Sequence, residues 1–192
     1  MRVILGIGNP GSIYSRTRHN VGFMFLDYLA ARNSIIFQPS NFDYHFASGK
    51  IRNEEFLLVK PTTFVNNSGL AAIQLVEKYN LNLSALMVAV DDVNIRFSKF
   101  RIRVSGGDGG HNGLKSLIYH LRSDQFIRIR FGIGSVDLTK NLSEYVLSDF
   151  LLDEQIQLNE IFNSAASIVE MFIAAGIKAA LDKNSNSNTL PN

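Results

Sequence analysis

The sequence predicts an α/β domain built around a mixed sheet. Three observations point there. Apolar runs of strand length alternate with stretches whose apolar residues recur every three or four positions. Two strand–strand neighbours fall in the middle of the chain without a helix between them. The chain has 192 residues, 46% hydrophobic and 19% charged, which is enough for one domain that buries its core without staples.

Taken in order, Arg2 to Gly8 reads as a buried strand, with Val3, Ile4, Leu5 and Ile7 ahead of glycines. Residues 9–18 form a polar loop. Val21, Phe25 and Leu29 then recur every four positions, one face of a helix running to about Arg32. Ile35–Gln38, Tyr44–Arg52 and Phe56–Lys60 read as short strands, and Pro61 stops the third. Leu70, Ile73, Leu75, Val76 and Tyr79 mark a helix from Ser68 to Tyr79. Leu86–Val90 is a buried strand that ends in Asp91-Asp92. Phe100, Ile102 and Val104 alternate with Arg101 and Arg103, giving one apolar and one basic face. A glycine-rich loop, Gly106 to Gly113, leads into a helix marked by Leu114, Leu117, Ile118 and Leu121. Ile127, Ile129, Phe131 and Ile133 alternate with Arg128 and Arg130, a second strand with a basic face. Ile161, Ala165, Val169 and Ile173 mark a longer helix. Residues 182–192 are polar and low in complexity and are expected to be disordered, which leaves residues 1–181 as the domain.

Composition removes several kinds of chemistry. With no cysteine there is no disulfide, no thiolate nucleophile and no cysteine-based zinc site. The four histidines lack H-E-x-x-H spacing. No apolar run reaches the length of a membrane span, and the N-terminus has no secretory apolar stretch, so a cytoplasmic protein is expected. A net charge of +2 permits an anionic partner without demanding one.

Gly6-Ile7-Gly8-Asn9-Pro10-Gly11 matches the dinucleotide fingerprint after a strand. The second strand, however, ends in Gln38-Pro39 rather than in the acid that grips a ribose, and a tight turn accounts for the glycines. The stretch Arg16-Thr17-Arg18-His19-Asn20 lies at the entrance to the first helix, where ligands gather in α/β sheets. Asp91, at the carboxyl end of a buried strand, can reach the same rim, whereas Asp92 points the other way if the strand persists. A carboxylate on imidazole Nδ1 fixes the tautomer and supports the cation formed on proton uptake. Because no G-x-S-x-G motif occurs, such a pair would activate water. A turn acid or helix cap is the plainer reading of Asp91. Asn9, Asn66 and Asn112 stand at element junctions and offer uncharged donors and acceptors, or serve as caps. The loop Ser105 to Gly113 lets backbone approach a ligand closely and opens a helix N-terminus. It lacks the G-K-[ST] ending of a Walker loop. Lys99, Arg101, Arg103, Arg128 and Arg130, on two strands, look like a phosphate track.

Together these stretches resemble the bacterial peptidyl-tRNA hydrolases. The matches are Gly6 to Gly11, Tyr14 with Thr17-Arg18-His19-Asn20, Pro61-Thr62-Thr63-Phe64-Val65-Asn66 with Ser68-Gly69, and Asp91-Asp92. Gly106-Gly107, Gly109 to Lys115, Arg128 to Gly134 and Tyr145-Val146-Leu147 follow in family order. The resemblance implies a monomeric three-layer α/β/α domain around a mixed, mostly parallel twisted sheet. It implies hydrolysis of the ester between a peptide and the terminal ribose of tRNA, which frees the tRNA for reuse in translation, with no metal or cofactor. It implies that His19 is the general base and Asp91 its orienting partner. Asn9 is similar to the residue that helps tell N-blocked from free aminoacyl ends. Tyr14, Phe64, Asn66 and Asn112 match groups that hold the tRNA 3′ end and peptide, and Arg103 and Arg130 match a phosphate clamp. Tyr145–Leu147 falls in a mobile lid. Several positions depart from the family pattern. Asn94 stands where an acid is usual, Val90 replaces a frequent His, Ile95-Arg96 replaces Leu-Pro, and Ser135-Val136-Asp137 lacks a customary Pro. Two rival readings are a non-catalytic RNA binder, like plant splicing relatives, and a dinucleotide enzyme.

Overall fold

The computed structural model describes residues 1–134 and 141–188. Its strands are β1 (Arg2–Gly6), β2 (Gln38–Pro39), β3 (Tyr44–Ile51), β4 (Glu54–Pro61), β5 (Leu86–Asp92), β6 (Phe100–Arg103) and β7 (Ile127–Gly132). The helices are α1 (Val21–Arg32), α2 (Ser68–Tyr79), α3 (Asn112–Leu121), α4 (Leu142–Val146), α5 (Leu152–Ala175) and α6 (Ile177–Asn188). The sheet runs in the order β2-β3-β4-β1-β5-β7-β6. The central strands β4, β1, β5 and β7 are mutually parallel, and antiparallel pairing is confined to the flanks.

The first strand in sequence is the central one. Val3 pairs with Leu57 on one side and with Leu86 on the other. Both faces of β1 are covered, which is why its apolar run is unbroken. Ile4 joins Phe25, Leu29, Phe162 and Phe172 beneath α1 and α5, while Val3 and Leu5 join Ala71, Leu75, Leu114 and Leu117 beneath α2 and α3. The result is the expected three-layer α/β/α arrangement. The backbone of α1 lies directly on the sheet at Gly22, where a Cβ would come 2.4 Å from the Ala89 carbonyl and 2.6 Å from that of Ile7. Among the described residues no helix is long and apolar enough to cross a membrane.

The structure departs from the sequence expectation in several places. The loop 9–18 contains two 3-10 turns, Ser12–Tyr14 and Arg18–Asn20. Ile35–Phe37 are not strand, and Ile36 is exposed, so β2 shrinks to two residues. β4 does end at Pro61, but with Pro61 as its last paired residue, opposite Tyr44, and not just beyond the strand. Residues 182–188, expected to be disordered, continue α6. Buried Ala180 anchors that helix, and Lys183 Nζ donates to the Ser167 carbonyl of α5 at 3.1 Å. Residues 189–192 and Ser135-Val136-Asp137 lie outside the described residues.

Candidate active site

The carboxyl ends of β1, β4, β5 and β7 meet at one edge of the sheet, beside a cavity of about 580 Å³. Chain order reverses there, with β4 on one side of β1 and β5 on the other, and such crevices are where open α/β sheets bind ligands.

At its centre is Asp91, 3% exposed. One oxygen, Oδ1, lies 2.8 Å from His19 Nδ1 and 2.9 Å from His111 Nε2. The tautomer of His111 follows from its other nitrogen. That Nδ1 accepts from the backbone N–H groups of Gly113 and Leu114 and so caps α3. Its proton therefore sits on Nε2 and is donated to Asp91. His19 likewise donates from Nδ1, which leaves Nε2 as its remaining nitrogen in the cavity wall. Burial alone would raise the Asp91 pKa. The two imidazoles outweigh it, His111 first and then His19, through the N–H groups they aim at the carboxylate, and hold the carboxyl well below the usual carboxylate range. Burial alone would lower the His19 pKa. The hydrogen bond and charge of Asp91 reverse this and raise it above the ordinary 6.5. These three side chains are the only cluster of potential metal ligands among the described residues. Both rings, however, aim N–H groups at one carboxylate oxygen, whereas a metal site needs lone pairs converging on a vacant point. The arrangement is a hydrogen-bonded triad.

Asn9 follows β1. The Asn20 side chain grips its backbone at both ends, accepting from Asn9 N at 2.8 Å and donating to Asn9 O at 2.9 Å. Asn9 Oδ1 accepts from Val65 N at 3.0 Å, so Nδ2 is the atom left to donate toward the cavity. Asn66 and Asn112 are exposed and line the same cavity, one from the 3-10 turn Val65–Asn67 and the other as the first residue of α3. Phe64 lines the mouth and is 56% exposed. Tyr14 meets its ring edge-on at 6.1 Å between centroids.

Register places the four strand arginines on one face, Arg101 opposite Arg130 and Arg103 opposite Arg128. Arg103 and Arg130 are thus diagonal neighbours, about 7–8 Å apart by sheet geometry. Arg128 does not belong to the expected phosphate track. Arg128 is fully buried, lies 4.1 Å over the Phe126 ring, and donates to the carbonyls of Phe126 and Gly106. Burial first, then nearby Arg130, lowers its pKa. It anchors the glycine loop. Arg130 lines the cavity with Nε 3.0 Å from Asp92 Oδ2, an ion pair whose geometry is off-axis for a hydrogen bond. Arg103 is exposed. β5 persists through Asp92, which therefore takes the face opposite Asp91, as expected, and pairs there with Arg130. At the strand end it still lines the cavity, as does Asn94, whose N–H donates to Asp92.

Sequence reasoning missed His111 as a partner of Asp91, and Asn20 as the clamp on Asn9. A histidine immediately before a helical pattern and a polar residue at the entrance of α1 were the available signals. Val146 and Leu147, expected in a lid, line the cavity beside Leu142 and Ser143.

Comparison with known proteins agrees over nearly the full length. The peptidyl-tRNA hydrolase family model matches residues 3–191. The peptidyl-tRNA hydrolase of Clostridium acetobutylicum is 37% identical over 183 residues, which is 95% of this chain and 97% of that one. That of Thermodesulfovibrio yellowstonii is 39% identical over 184 residues, covering 95% and 97%. The crystal structure of peptidyl-tRNA hydrolase from Acinetobacter baumannii superposes with a TM-score of 0.89 at 30% identity, covering 95% of this chain and 93% of that one. Likeness on this scale, in sequence and in backbone, settles descent: the chain belongs to the peptidyl-tRNA hydrolase family.

Proposed function

We propose that this chain hydrolyses the ester joining a peptide to the 3′-terminal ribose of tRNA, with a water activated by His19. Nε2 of His19 takes a proton from water as the oxygen attacks the ester carbonyl. Asp91, ionised and fixed on Nδ1, stabilises the imidazolium that forms. The carbonyl oxygen becomes an oxyanion and accepts from an amide donor among Asn9, Asn66 and Asn112. Collapse of the intermediate expels the ribose oxygen, which recovers the proton from His19. An alkoxide leaving group of this kind needs a base and an oxyanion donor and little else.

In this reading Asn9 Nδ2 faces the acyl end and discriminates N-blocked from free aminoacyl esters. Tyr14, Phe64, Asn66 and Asn112 hold the tRNA end and peptide. Arg103 and Arg130 hold a phosphate. Residues 1–181 carry the catalytic unit, which acts as a cytoplasmic monomer. The single observation that supports the reading most is the buried Asp91 side chain holding Nδ1 of a histidine that opens onto the cavity. The test is turnover of an N-blocked aminoacyl-tRNA by His19→Ala. A fall on the order of 10²- to 10⁴-fold is expected, and turnover near that of the wild type rejects His19 as the base.

A further inference from the structure

Arg18 shares a 3-10 turn with His19, yet its side chain runs into the body of the protein and is 7% exposed. Its two terminal nitrogens grip Glu154, on the first turn of α5, at 3.0 and 2.8 Å. Its guanidinium lies 4.8 Å over the Tyr145 ring and 4.9 Å over that of Phe150. Nη1 also reaches the Ile133 carbonyl at 3.4 Å, and the Tyr145 hydroxyl donates to the same carbonyl at 2.5 Å. The main chain repeats the connection. Arg18 N donates to Ser148 O at 3.0 Å, and Phe150 N to Arg16 O at 3.1 Å. Glu154 is held in turn by Leu151 N at 2.8 Å.

A planar fork matched to a carboxylate and packed between two rings has one low-energy placement. A buried charge with a single counter-charge does not rearrange cheaply. Three parts of the molecule meet on this cation: the turn that carries His19, the segment just past β7, and the α4–α5 connection. The α4 side contributes Leu142, Val146 and Leu147 to the cavity wall. None of these contacts touches the cavity floor where Asp91 lies.

We infer that Arg18 is a positioning residue: clamped by Glu154, Tyr145 and Phe150, it fixes the Arg18–Asn20 turn so that His19 stays in register with Asp91 beneath the α4 wall. This rests on the reading of His19 as the base. Among the described residues, Asp91 from β5 and His111 from the cap of α3 touch His19, and Asp92 from β5 and Arg130 from β7 line the same cavity. Those facing Arg18, among the described residues, are Glu154 of α5 and Tyr145 of α4.

The experiment measures kcat and KM on N-blocked aminoacyl-tRNA between pH 5 and 8 for the full chain carrying Glu154→Gln, Arg18→Lys or Tyr145→Phe. Glu154→Gln and Arg18→Lys are expected to lower kcat by about 10- to 100-fold, the scale of a slightly misplaced catalytic group. The acid limb of kcat should move to lower pH as His19 loses part of its bond to Asp91, and KM should change little. Tyr145→Phe, the mildest change, shifts the limb less and in the same direction. It carries the test if the charge variants do not fold. Glu170→Gln, which breaks the distant pair with Arg32, controls for lost stability. If kcat falls at every pH with the limb unmoved, the pair is merely structural and the inference is overturned. A rise in KM alone overturns it too, since the cluster then shapes the cavity wall and not the base. An active His19→Ala sinks the base itself. An inactive His19→Ala beside unmoved limbs sinks only the role of Arg18.

Discussion

Asp91 and His19 bias each other in opposite senses, and the pH dependence follows. The folded protein holds Asp91 below the usual carboxylate range, so it stays ionised wherever His19 titrates. With His19 as the proposed base, its raised value predicts that activity is lost as pH falls through a limb lying above 6.5. For stability the sign is the reverse. Protonated His19 favours the folded state fully below its unfolded value, and that contribution fades as pH rises through the folded one. Asp91→Asn is expected to lower kcat by on the order of 10²- to 10⁴-fold. It should also move the acid limb below that of the wild type, because burial then acts on His19 unopposed. A pH–rate profile checks both. His19 and Asp91 were legible because each stands at a junction that a simple pattern marks, a helix entrance and a strand end. His111 was not, since its contact with Asp91 joins α3 to β5 in space and leaves no spacing in the chain. Arg128 misled because alternation shows which face a side chain takes but not whether another loop covers that face.

At the scale of elements, the position of the His19 turn depends on how closely α1 lies on the sheet. Gly22 has three backbone atoms of Ile7 and Ala89 within 2.9 Å of where a Cβ would stand. Backbone cannot yield as a side-chain tip can. Gly22→Ala is therefore expected to destabilise the fold by about 3 kcal/mol or more, at the upper end of overpacking costs, measured as a lowered urea midpoint. The long buried strands and α1 to α3 were readable because their periodicity is strong. The shortness of β2 was not, because Ile35–Phe37 have strand-like composition while Ile36 faces solvent. Nor was the reach of α6, whose polar residues look irregular until Ala180 is seen packed in the core shared with α5.

For the molecule as a whole, the exposed edge strand β6 brings positive charge beside the cavity. Arg103 is exposed and donates, among the described residues, to a neighbouring carbonyl, whereas Arg130 already has Asp92. Arg103→Ala should weaken tRNA binding and flatten the log–log salt slope by about one unit. An unchanged slope in filter binding counts against a phosphate contact there. The layered architecture was readable from alternating strand and helix patterns, but the strand order was not, because no local signal says that the first strand will end up in the middle. That placement has a price in assembly. Until residues 54–92 supply neighbours for both of its edges, this apolar strand stays open to other copies of itself. Refolding from denaturant should therefore lose yield to light-scattering aggregates as protein concentration rises, and dilution should restore it.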